Sequence, residues 1–360
     1  MSVRRVVLVS DATPGASGDR FVQNLAKAIG RRADIYSIDM RHDLPAFPEA
    51  HQGVREHGLK FKIYEVDAAF GNLVPSLVFP VTRRAVKRAE KAGNIIHYTS
   101  LNVPIMSSLS RAVVTFHDSP ISLFKTDYYR TPLRFRVITR LRMERYRLAQ
   151  AVFVHSRHVA KGVEDFGLGP VYTVPLPVND AFRPIPDRAG LRREFGLPEQ
   201  RKLVLSVSTD EHRKNLRTTA AVVKSLGGQF ALVRVGPPVE GAFNFRVLSE
   251  AALARLFNSC DVLLQPSLEE GFGLPIIEAF AVGLPVVASD IEVFGEICGH
   301  AAELREATDV AKLSEAVRLV IESADDYSAR SLERARAFRF EVFREQLTRA
   351  YAKIESTLSN

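Results

Sequence analysis

Short apolar runs alternate along the chain with longer stretches in which apolar positions recur every three to four residues. Residues 6–10 read as a strand, and Phe21, Leu25, Ala28 and Ile29 then mark one face of a helix. Residues 94–97, 112–116 and 151–155 form continuous apolar runs, as parallel strands covered on both faces require. In the second half, residues 202–207, 230–235, 261–265 and 285–289 predict strands, with helices over 216–226, 250–258 and 275–282 between them. This order predicts α/β architecture, two doubly wound parallel-sheet domains facing across a cleft. Periodicity stops where Pro175, Pro177, Pro184 and Pro186 cluster, so the expected domains are residues 1–182 and 183–337. Residues 329–357 predict one helix, and Phe340, Phe343, Leu347, Tyr351 and Ile354 give it an apolar stripe that needs a surface to cover.

Composition narrows the class. Of 360 residues, 46% are hydrophobic and 25% charged, a soluble globular balance that excludes a coil, a collagen or a disordered tail. No apolar run reaches the ~18 to 20 residues that would cross a bilayer, and Met1-Ser2-Val3-Arg4-Arg5 leads into no signal-cleavage pattern. Cys260 and Cys298 are too few for a disulfide framework or a cysteine-rich metal site. The expectation is a cytoplasmic protein with two buried free thiols.

The richest chemistry lies in Gln265-Pro-Ser-Leu-Glu-Glu-Gly-Phe-Gly-Leu-Pro-Ile-Ile-Glu-Ala-Phe-Ala. A strand ends at Gln265, the chain turns through Gly271 and Gly273, and Pro275 suits the first turn of a helix. Amides from Gly271 to Ile276 then point outward at a helix N-terminus, where a phosphate or sugar hydroxyls bind. Glu278 sits among Ile276, Ile277, Ala279 and Phe280, and an ionised carboxylate in such company needs a partner. The alternative is that Glu278 faces solvent and Glu270 is a loop charge.

This stretch resembles the retaining glycosyltransferases of family 4 (GT4), which have the GT-B fold: two Rossmann-like domains, with the C-terminal helix, here about 338–357, crossing back to the N-terminal domain. The family's Glu, seven residues and second Glu appear as Glu270, Gly271 to Ile277, and Glu278. The resemblance implies that Glu270 contacts the donor sugar, that Gly271, Phe272, Gly273 and Leu274 present backbone to the donor, and that Glu278 holds the ribose hydroxyls. Arg213 and Lys214, in Thr209-Asp-Glu-His-Arg-Lys-Asn-Leu, would bind the leaving diphosphate. Ser208-Thr209 replaces the Gly-Arg of many relatives, which leaves Arg213 as a substitute cation. His117, at the end of the strand 112–116, would line the donor site beside the reacting carbon. Gly18, in the loop 11–20, is the partial match to the loop that frames the acceptor. Val154-His-Ser-Arg-His, Val178-Asn-Asp-Ala-Phe-Arg-Pro and Phe338-Arg-Phe-Glu-Val-Phe extend the resemblance from about residue 95 to the end.

Charge adds a surface. The net +8 divides into +10 over residues 1–180 and −2 over the rest. Between Arg130 and Arg147 seven arginines and one acid, Glu144, interleave with apolar residues, and Arg83, Arg84, Lys87, Arg88 and Lys91 add a second basic run. Such an element suits an anionic membrane surface. No helix-turn-helix, zinc or RNP-like signature accompanies it, so no nucleic acid partner is expected.

The function expected is therefore transfer of a hexosyl group, mannose or glucose, from a GDP- or UDP-linked sugar to a glycan or lipid-linked acceptor. No metal and no cofactor beyond this co-substrate are implied, and a peripheral place on the inner face of the cell membrane follows from the basic element. A GT-B enzyme of another reaction, such as a sugar-nucleotide epimerase, and a non-catalytic nucleotide-binding subunit are the alternatives. Oxidoreduction with NAD lacks its G-x-G-x-x-G fingerprint.

Overall fold

A computed structural model of the chain describes residues 6–10, 17–30, 33–39, 60–65, 80–99, 109–120 and 140–358 other than 142 and 247. These fall into two compact units. The first extends to Pro175 and takes back Glu341 onward, and the second runs from Leu176 to Phe340. The boundary thus precedes the expected 182/183, because Val178 already belongs to the second unit: its N–H donates to the Phe338 carbonyl at 2.8 Å.

In the first unit the described strands are β1 (Val6–Ser10), β2 (Ala33–Asp39), β3 (Lys60–Glu65), β4 (Ile95–Tyr98), β5 (Ala112–Phe116), β6 (Ala151–Val154) and β7 (Val171–Thr173). They form one parallel sheet in the order β3-β2-β1-β4-β5-β6-β7. Helices α1 (Ser17–Ile29), α2 (Pro80–Lys91) and α3 (Arg157–Asp165) belong to it. Strands β4, β5 and β6 are buried at every position, which explains runs that are apolar apart from His97 and Thr115. Val9, Ile96, Val114, Val152 and Val163 share one core. The Ser156 side chain starts α3 by accepting the Val159 N–H.

The second unit contains α4 (Arg188–Glu194), β8 (Lys202–Val207), α5 (Leu216–Leu226), β9 (Phe230–Val235), β10 (Phe243–Phe245), α6 (Glu250–Ser259), β11 (Val262–Gln265), α7 (Leu274–Val282), β12 (Val286–Ser289), α8 (Glu292–Cys298), β13 (Ala302–Arg305), α9 (Val310–Glu322) and α10 (Ala324–Ala335). Its sheet is also parallel, in the order β10-β9-β8-β11-β12-β13. From β8 the chain winds one way to β9 and β10, and from β11 the other way to β12 and β13. The crevice outside the carboxyl ends of β8 and β11 is the switch point where open α/β sheets receive ligands.

The single helix expected over 329–357 is two. α10 ends in a short 3-10 turn, Arg336–Phe338, Arg339 is extended, and α11 (Phe340–Thr357) follows. The break has a local cause: the Phe338 carbonyl accepts from Val178, and the Phe338 ring is buried against Phe272. Beyond it, α11 joins the first unit through Phe343, Leu347, Tyr351 and Ile354, each at most 3% exposed.

Candidate functional site

Two loops at the β8/β11 switch point carry most of the expected residues. After β8 the chain makes a 3-10 turn, His212–Lys214, and Asn215 follows in the left-handed region at φ 53°. Asparagine tolerates that conformation better than most side chains. Its amide donates to the carbonyls of Pro266 and Ala307 at 2.9 and 2.8 Å, and the Leu268 N–H donates to the Arg213 carbonyl at 2.7 Å. The two loops are therefore fastened backbone to backbone.

This fastening brings Arg213 and Lys214 onto Glu270. Lys214 Nζ lies 2.8 Å from both Glu270 oxygens, and Arg213 reaches Oε2 at 3.3 Å. Gln265 and Ser267 donate to Oε1 at 3.2 and 2.9 Å. Glu270 is 7% exposed, so its charge is matched almost entirely by protein groups. Arg213 also donates to Glu211 at 2.6 Å. Burial raises the Glu211 carboxyl, but Arg213 and a bond from Thr209 outweigh it and hold it below its usual range. Two cations and two carboxylates thus balance, and a diphosphate arriving here would take over cations already in use.

After β11, Gly271, Phe272 and Gly273 are buried, and Gly273 precedes α7 at φ 107°, ψ 54°. A Cβ there would stand 2.8 Å from a Phe294 ring carbon, so glycine serves both backbone and space. No side chain caps α7, and Pro275 occupies its first turn. Leu274 is half-buried at the head of the helix. Glu278 comes one turn later and is 2% exposed, not on a solvated face.

The other expected residues lie in the first unit. His117 occupies the bend after β5, half-buried. Its Nε2 donates to the Thr99 carbonyl at 2.8 Å, and its Nδ1 lies 3.1 Å from His155 Nε2. His155 Nδ1 donates to the Val174 carbonyl at 3.0 Å. Phe21 of α1 meets the rings of His117 and His155 edge-on at 5.2 and 4.8 Å. Beside them His97 is held by Tyr351 Oη at 2.5 Å and Thr115 Oγ1 at 2.6 Å. Burial, with the charge of His117 added, brings both His97 and His155 down to about 3, so both are neutral rings. Gly18 falls inside the first turn of α1 and not in the preceding loop, whose residues 11–16 lie outside the described set.

Of the basic element, residues 130–139 and 142 lie outside the described residues. In the remainder Met143 and Tyr146 are buried, while Leu141 and Leu148 are 57% and 62% exposed beside exposed Arg140 and Arg147. Lys87, Arg88 and Lys91 of α2 are exposed as well. Among the described residues no helix is long and apolar enough to cross a membrane, and no group of three or more His, Cys, Asp or Glu is placed to hold a metal ion. Cys260 and Cys298 are free and buried, and burial pushes both thiols up to about 12.

Spacing in sequence did not point to Asn215, Gln265 and Ser267 as members of the Glu270 cluster, or to His155 as the neighbour of His117. For Asn215 a signal existed, an asparagine between a basic pair and a helix start. His97 and Tyr351 stand 254 positions apart, and only the return of α11 joins them.

Residues 243–338 match the family described as Glycosyl transferases group 1. The chain is 24% identical over 307 residues to the serotype-specific mannosyltransferase WbdA of Escherichia coli, covering 77% of this chain but 36% of that one. It therefore spans about a third of that relative's length. It is 26% identical over 285 residues to the O-antigen chain mannosyltransferase B of Escherichia coli, covering 71% and 73% of the two chains. Among solved structures, Anabaena HepE in complex with UDP and glucose superposes with a TM-score of 0.76 at 16% identity, over 97% of this chain and all of that one. At that identity the likeness is one of fold.

Proposed function

We propose that this chain, which carries the group 1 glycosyl transferase segment at residues 243–338 and has the GT-B fold, transfers a hexosyl group from a nucleotide-diphosphate sugar. The observation that carries the proposal is the pair of buried carboxylates, Glu270 and Glu278, flanking a glycine-led helix start at the switch point of the second sheet. Two such carboxylates beside a helix start that no side chain caps are a costly way to build a loop and an effective way to hold a polyol.

In this reading the Glu278 carboxylate accepts hydrogen bonds from the ribose hydroxyls. The amides from Gly271 to Leu274 and the dipole of α7 meet the sugar and diphosphate. Lys214 and Arg213 turn from Glu270 toward the diphosphate, and Glu270 is freed to accept from the sugar. No metal is needed to offset the leaving charge, since a helix N-terminus and two cations supply that field.

The reaction retains anomeric configuration. The bond from the anomeric carbon to the diphosphate oxygen breaks, the acceptor hydroxyl oxygen bonds the same face of that carbon, and the leaving phosphate oxygen takes the acceptor's proton. Such a front-face displacement asks for positioning and charge stabilisation rather than a protein nucleophile. The names of the two Escherichia coli relatives support mannose as the sugar and a growing glycan as the acceptor. HepE, whose structure holds UDP and glucose, supports a nucleoside diphosphate sugar as the donor.

The exposed Leu141 and Leu148, each beside an arginine, support a lipid-linked acceptor reached from an anionic, cytoplasmic membrane face, with about 1 kcal/mol per cation near the surface. Incubation with GDP-mannose, UDP-glucose and lipid-linked glycan acceptors, followed by mass spectrometry and NMR of the new linkage, tests the reaction. A retained α-linkage without added metal is expected. Turnover of donor to an epimer without acceptor, or an inverted linkage, would overturn it.

A further inference from the structure

Hydrogen-bond accounting at the carboxyl edge of the first sheet assigns a proton. The Thr99 carbonyl only accepts, so His117 Nε2, 2.8 Å away, carries a hydrogen. The Val174 carbonyl only accepts, so His155 Nδ1, at 3.0 Å, carries one too. A neutral imidazole has one N–H. With both rings neutral, His117 Nδ1 and His155 Nε2 would point lone pairs at each other across 3.1 Å. A third proton between them turns that repulsion into a charge-assisted hydrogen bond. It belongs to His117, which is half-buried at the sheet edge, since His155 is 1% exposed and burial keeps its ring neutral.

We propose that His155 is a positioning residue that holds His117 as a doubly protonated, cationic ring, so that the carboxyl edge of the first sheet carries a fixed positive charge and offers no imidazole base. Both N–H groups of His117 are committed to protein acceptors, Thr99 and His155. The ring therefore acts on a ligand through its charge and takes no proton from an acceptor hydroxyl. This consequence rests on the transferase reading, and within it the leaving phosphate remains the base.

The titratable and charged groups on the surrounding elements are His97 on β4, neutral and tied to Tyr351 of α11, Asp118 next to His117 in the chain, Arg20 on α1, and Arg157 and His158 at the start of α3. Phe21 packs edge-on against both rings of the pair.

The test is long-range proton–nitrogen NMR of the full chain labelled with nitrogen-15, the His117 signals being identified by their loss in His117→Gln. At pH 7.5 the expected result is two protonated nitrogens on His117 and an Nδ1–H tautomer on His155. In His155→Phe, which keeps the ring packing and removes the acceptor, His117 should titrate as an ordinary histidine. kcat/KM should then fall about eightfold between pH 6.0 and 7.5, as a midpoint near ~6.5 dictates, while the parent stays flat. His155→Gln, whose Oε1 accepts in the same place, should restore the flat profile. A single protonated nitrogen on His117 in the parent, or one pH profile shared by parent and His155→Phe, overturns the proposal. The parent spectrum decides it even if no sugar transfer is detected or the phenylalanine variant fails to fold.

Discussion

Replacing Lys214 by methionine isolates the interaction on which the candidate site is built. The change keeps the length of the stem and removes the charge, leaving Glu270 7% exposed with Arg213 at 3.3 Å, Gln265 at 3.2 Å and Ser267 at 2.9 Å. Two charge-assisted contacts of 2.8 Å disappear. Removing one partner of a buried pair costs about 3 to 5 kcal/mol, and the three remaining donors place this case near ~3 kcal/mol. For a unit of this size that corresponds to a fall of about 6 to 12 °C in melting temperature. Glu270→Gln should cost less, roughly 1 to 2 kcal/mol, because the amide keeps a hydrogen-bonding shape and Lys214 can turn to water. In the double variant the Glu270 charge that Lys214 matched is gone, so the two losses should fall short of additivity by about 2 kcal/mol. Differential scanning calorimetry that resolves the transition of the second unit reads all four proteins. Melting of Lys214→Met within about 1 °C of the parent, or strictly additive losses, would refute the reasoning. Both single variants should also lose at least about a hundredfold in transfer, the scale of one removed electrostatic contact in a transition state.

Three further outcomes follow. Gly273→Ala forces a side chain into a left-handed position 2.8 Å from Phe294, so it should lower stability by about 1 to 3 kcal/mol and weaken nucleotide affinity. Gly295→Ala, with nothing within 4 Å, should do neither, and calorimetric titration compares the two. His97 and His155 have folded-state pKa values near 3, below the ordinary ~6.5, so the unfolded chain binds more protons between those limits. Their contribution is complete above pH ~6.5 and is lost as pH falls, by about 2 kcal/mol per ring between pH 7 and 5, which urea melts at the two pH values measure. Cys260 and Cys298, buried with thiols raised to about 12, should react with a disulfide reagent only as fast as the chain opens, and an immediate two-thiol reaction in the folded protein would contradict their placement.

The readable part of the fold was the part with a period. Central strands such as 112–116 and 230–235 announce themselves because burial on both faces favours apolar residues, with Thr115 and Arg234 as the buried exceptions. β3, Lys60–Glu65, alternates charge with apolar positions at the sheet edge and lacked such a run. The break between α10 and α11 was hidden because no glycine or proline marks Phe338-Arg339, and what stops the helix is a contact with Val178 far along the chain. At the site, Glu270, Gly273 and Glu278 were legible because a strand-to-helix turn compresses them into nine residues. The ion cluster was not, since Arg213 and Lys214 come to Glu270 through Asn215, whose two bonds to distant carbonyls no spacing rule encodes.

In the proposed transferase, Glu278 and the head of α7 grip the nucleotide half of an activated sugar. A crystal structure with a nucleoside diphosphate mannose bound measures this directly. Both ribose hydroxyls should lie on the Glu278 carboxylate and the diphosphate over the amides of Phe272 to Leu274, with Lys214 drawn away from Glu270. A ligand held elsewhere, with Glu278 untouched and Lys214 still on Glu270, would contradict it.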